Sequence, residues 1–143
     1  MGLCVVAAAA DAGPVAPPTG PIGFYAELSP DEQSATTESP GRGRADFLLD
    51  RETVRLSWTV TYRDLTSPAT GAHIHGPQRP GANAGIQIDL APKGLRLPLE
   101  GAAVLTDAQL EYLLSGRMYV NIHTVKYPDG ELRGHLQRVP PKP

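Results

Sequence analysis

The chain has 143 residues, a length that fits one domain of ordinary size, and its 15 glycines and 15 prolines indicate many turns rather than long helices. The net charge is −2 and no basic stripe interleaved with aromatic residues is present, which excludes nucleic acid as an expected partner. The single cysteine, Cys4, excludes an internal disulfide and a zinc site built from cysteines.

The beginning of the chain differs from the rest. Residues 3–10 form a short apolar run that ends in small residues, which is typical of the end of a signal peptide, although no positively charged region precedes it. The run is too short to span a bilayer. We therefore expect a periplasmic or secreted protein in which residues 1–12 are a signal-peptide remnant, 13–21 a linker, 22–138 the domain and 139–143 a tail.

Short alternating segments follow one another along the domain. The clearest is residues 54–62, in which five apolar or aromatic residues alternate with polar ones, as in a half-buried strand. Further strands are predicted at residues 24–28, 45–49, 70–75, 86–90, 96–104, 118–124 and 131–138.

One helix interrupts these strands. Thr106 is its predicted N-cap, Gln109 the capping-box partner and Gly116 the C-terminal cap. About eight short strands separated by glycine and proline turns predict an all-β fold, a Greek-key β-sandwich or barrel with one short helix.

The last two predicted strands are joined by the Tyr-Pro-Asp-Gly turn at residues 127–130. Proline suits the second position of a type I turn and glycine the left-handed residue after it, which predicts a three-residue loop that pairs Tyr127 with Glu131. Counting back from that pair, His123 lies opposite His135. Apolar and polar residues then fall on opposite faces, as a correct register requires.

All four histidines of the chain thus form pairs. His73 and His75 are two residues apart in a predicted strand, so both imidazoles point to the same face. His123 and His135, as direct partners, would have Cβ atoms about 5 Å apart, close enough to share a metal. We predict one metal site formed by His73, His75, His123 and His135.

Copper is the expected metal and zinc the alternative. Imidazole suits both, the Irving–Williams order favours copper, and structural zinc sites usually use thiolates. No carboxylate stands beside His73 or His75 in the sequence, which argues against an iron site of two histidines and a carboxylate. Arg133 shares the predicted face of His135 and could attract a small anion, or be a surface arginine paired with a carboxylate.

Six segments follow the pattern of a known family: Phe24-Tyr25-Ala26-Glu27-Leu28, residues 43–49, Ala72-His73-Ile74-His75-Gly76-Pro77, Leu105-Thr106 with Gln109, Gly116 with residues 119–124, and residues 130–136. Over about residues 22–137 the chain resembles the CHRD domain, named after chordin. The resemblance implies an extracytoplasmic β domain, which occurs in small exported bacterial proteins and in secreted animal antagonists of growth factors. His135 departs from the family pattern, which usually has glutamine there.

The predicted site is also weakly similar to that of Cu/Zn superoxide dismutase, another Greek-key β protein. A His-x-His strand, a later strand histidine and an arginine shortly after it are shared. The similarity implies that His73, His75 and His123 bind copper and that Arg133 guides superoxide. An enzyme of this kind would use copper alone, because the chain lacks that enzyme's disulfide and its zinc loop.

Three functions remain open from the sequence. A copper-dependent superoxide dismutase needs an open coordination position and a path for the anion, whereas a copper carrier is expected to close its site with four histidines. A protein-binding module, as in chordins, would use the histidines structurally. We expect the enzyme, with superoxide as its small-anion partner and no membrane span, and leave a homodimer open.

Overall fold

The computed structural model describes residues 13–14, 19–35, 37–79 and 83–143. Within them lie the strands β1 (Ile22–Leu28), β2 (Arg42–Asp50), β3 (Arg55–Arg63), β4 (Ala69–His75), β5 (Ile86–Asp89), β6 (Leu99–Val104), β7 (Tyr119–Thr124), β8 (Leu132–His135) and β9 (Gln137–Arg138), the helix α1 (Asp107–Leu114) and a 3-10 turn (Pro30–Glu32). The predicted signal-peptide remnant, residues 1–12, lies outside the described residues. None of the helices in the described ranges has the length and apolar character needed to cross a membrane.

Two antiparallel sheets enclose the core. The first has the strand order β6-β3-β2-β1-β9 and the second the order β5-β4-β7-β8. After β1, β2 and β3, the chain crosses to the second sheet for β4 and β5. Strand β6 then returns beside β3, and β7 returns beside β4. Strand β9 finally returns beside β1, so that β9, β1, β2 and β3 have the spatial order of a Greek key. The prediction of an all-β sandwich with one short helix is confirmed.

The core follows the predicted alternation along the strands. In β3, Leu56, Trp58 and Val60 are buried, and the residues between them are exposed. The indole N–H of Trp58 donates to the Leu90 carbonyl oxygen at 3.0 Å, which satisfies its one polar atom inside the core. From the second sheet, Ile74 of β4 packs into the same core. Its neighbours in β4 therefore point to the outer face of that sheet.

The helix α1 begins and ends as predicted. The Thr106 hydroxyl accepts a hydrogen bond from the Gln109 backbone N–H at 3.2 Å, and the Gln109 side-chain oxygen accepts one from the Thr106 backbone N–H at 3.0 Å. Gly116 follows the helix with a φ of +72°, a conformation that glycine adopts without strain. The helix thus carries the chain from β6 in one sheet to β7 in the other.

The β7–β8 hairpin has a different register from the predicted one. Tyr119 pairs with His135, and Asn121 pairs with Arg133. His123 lies four residues farther along β7 than the partner of His135. The prediction that His123 lies directly opposite His135 is therefore wrong.

The register differs because Glu131 does not pair as an ordinary strand residue. Its side chain is 0% exposed, and its carboxylate accepts hydrogen bonds from the Ser39 hydroxyl (2.7 Å), the Thr66 N–H (2.8 Å) and hydroxyl (3.0 Å), and the Thr124 hydroxyl (2.7 Å). These bonds hold the side chain of Glu131 just before β8, while its backbone N–H donates to the Ile122 carbonyl oxygen of β7 at 2.7 Å. Residues 125–131 therefore form the loop, and β8 starts only after them.

The same hydrogen bonds keep this buried carboxyl group ionised. Burial by itself would raise the pKa of Glu131, but the bonds from Ser39, Thr66 and Thr124 outweigh it and hold the pKa below its ordinary value of 4.5. A carboxyl group whose pKa is lowered by folding stabilises the fold above its unfolded pKa. That contribution is lost as the pH falls through the lower, folded pKa.

We predict that Glu131→Gln lowers the free energy of unfolding by about 1–2 kcal/mol at pH 7, because charge-assisted hydrogen bonds become neutral ones. Urea denaturation at pH 7 and at pH 3 measures the effect. The gap between the unfolding free energies of wild type and variant should narrow at pH 3, because the carboxyl group of the unfolded wild type is largely protonated below pH 4.5. An equal gap at both pH values would contradict the prediction. Glu100→Gln, on an exposed face of β6, is the matched control.

Candidate metal site

Adjacent strands β4 and β7 bring three of the four histidines together. His73 and His75 share the outer face of β4, as predicted. His123 of β7 lies opposite Gly71, which is two residues before His73 on the same face of β4. The three ring centroids are 5.0 to 5.8 Å apart. One coordinating nitrogen from each ring lies within 4.8 Å of the other two, so these histidines form a group that could hold a metal ion.

Hydrogen bonds to backbone carbonyl groups show which ring nitrogen carries the proton in His75 and in His123. The Nδ1 atom of His75 donates to the Ala84 carbonyl oxygen at 2.9 Å, and the Nδ1 atom of His123 donates to the Pro128 carbonyl oxygen at 2.8 Å. Since a carbonyl oxygen only accepts, both Nδ1 atoms carry the proton and both Nε2 atoms carry a free lone pair. Metal-binding histidines are commonly oriented in this way.

Three nitrogens are left without partners. Nε2 of His75, Nε2 of His123 and Nδ1 of His73 are buried and accept or donate no hydrogen bond within the described part of the chain. A buried polar atom without a partner is costly, and a metal ion would satisfy all three at once. Two nitrogens that bind one metal at about 2.1 Å are at most about 4.2 Å apart. The nitrogens of this group lie within 4.8 Å of one another, so small side-chain rotations would bring them within that distance.

The surroundings also favour the neutral imidazoles that bind metals. Burial lowers the pKa of His73, and the nearby His123 lowers it further. Burial likewise lowers the pKa of His75, and this effect exceeds the opposing one of its bond to Ala84. Both rings are therefore neutral at pH 7, and protons compete little with a metal there.

Gly71 provides the space that the His73 ring occupies. A Cβ atom at position 71 would lie 3.0 Å from Cε1 and 3.4 Å from Nε2 of His73. The ring thus folds over the glycine and approaches His123, which lies directly across from Gly71 on β7. A side chain at this position would force the His73 ring to shift from the place it occupies beside His123.

We predict that Gly71→Ala weakens metal binding by about tenfold or more, the usual cost of disturbing the support of a ligand. Competition with a chelator of known affinity measures the change. Gly85→Ala is the control, because a Cβ atom there would meet nothing within 4 Å. Unchanged affinity in Gly71→Ala would show that the ring does not depend on this space.

The outer face of the second sheet is covered rather than open to water. Tyr119, Asn121 and Arg133 lie on it with side chains 2%, 5% and 6% exposed. The Asn121 amide accepts from the Gln33 amide at 3.1 Å and donates to the Asp129 carbonyl oxygen at 3.3 Å. The segments that contain Gln33 and Asp129 therefore lie over this part of the face.

The structure does not bring His135 into the three-histidine group. It lies in the same row across the sheet as Tyr119 and His75, with Tyr119 between them. The Nδ1 atom of His135 instead lies 3.0 Å from the side-chain oxygen of Gln78, to which it donates. The predicted fourth ligand is thus bonded elsewhere.

Arg133 lies beside the group without a carboxylate partner. Its guanidinium carbon is 3.6 Å from the centroid of the Tyr119 ring, and its Nη1 donates to the Asn83 side-chain oxygen at 3.1 Å. Salt bridges among the described residues involve other arginines. Arg133 is therefore buried, and it pairs with no acid in the part of the chain that the structure describes.

A carboxylate lies closer to the histidines than the sequence predicted. Asp89 of β5 is the cross-strand partner of His73, so a carboxylate does stand beside one of the histidines. Asp89 is exposed, its Oδ1 accepts from the Ala91 N–H at 2.9 Å, and it is not a member of the metal-holding group. The donor set found among the described residues is therefore made of imidazoles alone.

Sequence reasoning missed the residues that support the histidines. Ala84 and Pro128 act through backbone carbonyl oxygens, which any residue type supplies, so no sequence signal marks them. Tyr119 stacks on His75 with ring centroids 5.1 Å apart and an interplanar angle of 7°. Gly71 could have been found, because it precedes His73 by two residues on the same face of a predicted strand.

The fold and the three imidazoles define an all-β sandwich domain with a candidate metal site on the outer face of one sheet. The family model of the CHRD domain matches residues 24–136, and the chain therefore belongs to the CHRD domain family. Comparisons with curated proteins and with solved structures found no match.

Proposed function

We propose that this protein acts outside the cytoplasm as a copper-dependent superoxide dismutase, with one copper ion held by His73, His75 and His123. The observation that carries the proposal is the set of three buried imidazole nitrogens, one per histidine, that have no hydrogen-bond partner in the described ranges. The apolar run at residues 3–10 supports export.

The chemistry of the donors favours copper. Neutral imidazole nitrogens are good ligands for both copper and zinc, and the Irving–Williams order places copper above zinc for the same set of ligands. Cysteine thiolates, which most structural zinc sites use, are missing from this group. Zinc is the alternative occupant.

The number of ligands supports catalysis over copper transport. His135 is bonded to Gln78 and stays outside the group, so three histidines leave a coordination position for a small anion. When bound there, copper would cycle between two oxidation states, oxidise one superoxide ion to dioxygen and reduce a second, with two protons, to hydrogen peroxide. A carrier would gain more from a closed set of four ligands.

Arg133 supports the arrival of an anionic substrate. Its charge is not neutralised by a carboxylate among the described residues, and it lies across Tyr119 from His75. A positive potential beside the site raises the local concentration of superoxide and its rate of association. The protein's own residues thus bind and orient the metal and attract the substrate.

Copper binding is tested by titrating copper into apo protein that carries no histidine tag. We expect about one ion per chain and nitrogen hyperfine coupling in the electron spin resonance spectrum. His123→Ala should abolish tight binding, and His135→Gln should leave it nearly unchanged. If His135→Gln loses copper as His123→Ala does, His135 is a ligand and the three-histidine site is wrong.

Turnover is tested by the rate of superoxide loss with copper-loaded protein at 0.01 and 0.1 M salt. Arg133→Ala should slow the reaction several-fold, mainly at low salt, where the Debye length is about 30 Å rather than about 10 Å. Arg133→Lys should recover part of the rate, since the charge remains. If the wild type is no faster than copper held by a simple histidine peptide, the protein is a carrier and not an enzyme.

A further inference from the structure

We infer that Arg133 acts through the Tyr119 ring on the copper ligand His75, and so makes the bound copper easier to reduce. The inference rests on the proposed function and deepens it. It assigns to Arg133 a role that does not require contact with the substrate, and it makes Tyr119 the spacer between the charge and the metal.

The three side chains form one stack across the sheet. Tyr119 is the cross-strand partner of His75, and their rings are parallel to within 7°. Arg133 comes from β8, on the other side of β7, and its guanidinium carbon lies 3.6 Å from the centroid of the Tyr119 ring. Because β7 lies between β4 and β8, His75 and Arg133 reach the ring from opposite sides.

Each member of the stack is held in place. Tyr119 is 2% exposed, and its hydroxyl accepts from the Ala84 N–H at 3.0 Å. The carbonyl of the same Ala84 accepts from Nδ1 of His75. Arg133 is bonded to Asn83, one residue earlier in that segment. Residues 83–84 therefore contact all three side chains and fix their order.

A fixed positive charge at this place has a definite effect on a redox-active metal. It disfavours the more highly charged oxidation state, and so it favours the state with one electron more. The aromatic ring excludes water from the space between the charge and the ligand, so the interaction is weakly screened. At a separation on the order of 10 Å and an effective dielectric constant of about 20, one unit charge changes an equilibrium constant by roughly tenfold.

The energetic cost of the arginine supports a role of this kind. A guanidinium that is 6% exposed and has no carboxylate partner in the described part of the chain is unfavourable for folding. The contact with the Tyr119 ring recovers part of that cost.

The experiment compares the affinities of apo protein for Cu(II) and for Cu(I), each measured by competition with a chelator of known affinity, with no superoxide present. Arg133→Gln should lower the ratio of Cu(I) to Cu(II) affinity about tenfold, which for a one-electron couple is a fall of about 59 mV in reduction potential. Arg133→Lys, which keeps the charge, should change the ratio less than about threefold. Circular dichroism confirms that each variant is folded.

Arg117→Gln is the matched control. Arg117 also lies over an aromatic ring, that of Tyr112 at 5.1 Å, but it pairs with Glu111 outside the stack. Arg117→Gln should leave the ratio of Cu(I) to Cu(II) affinity unchanged. An unchanged ratio in Arg133→Gln, or an equal fall in Arg133→Lys, would overturn the inference and leave the copper site intact. Failure of the wild type to bind either oxidation state would instead overturn the proposed function.

Discussion

The hydrogen-bonded ladder between β4 and β7 sets the spacing of the imidazoles, and the rest of the site depends on it. It places His123 across from Gly71, and the missing side chain of that glycine leaves room for the ring of His73. It also sets Tyr119 across from His75, so that the ring of one supports the ring of the other. A sheet with this pairing positions three donors on strand backbone, and the loop carbonyl groups of Ala84 and Pro128 then orient two of the rings.

The second sheet therefore has a buried apolar face and a partly buried polar face. Its inner face carries apolar residues such as Ile74 and Val120, which supply the hydrophobic contribution to folding. Its outer face carries histidines, Asn121 and Arg133, whose polar atoms must be satisfied by hydrogen bonds from the covering segments. The apolar core therefore does not include the histidines.

Sequence patterns predicted the faces of the strands but not the register of the last hairpin. The separation of His73 from His75 by one residue places both on one face in any strand, which is why that pair was predicted correctly. The register of β7 and β8 differs by four residues, and an even shift leaves every side chain on the same face. The alternation of apolar and polar residues is the same in both registers, so it could not distinguish the correct register from the predicted one. Its cause, the burial of Glu131 among hydroxyl groups from distant segments, depends on tertiary contacts that no local pattern contains.

The loop at residues 125–131 has a consequence for how such domains can diverge. A change of two residues in its length would slide β8 along β7 by one full pleat and keep the same residues facing the core. Another side chain would then lie beside Tyr119 in place of Arg133. An insertion or deletion in this loop can thus exchange the charge beside the histidines, provided that it keeps the Pro128 carbonyl group that orients His123 and the buried carboxylate of Glu131.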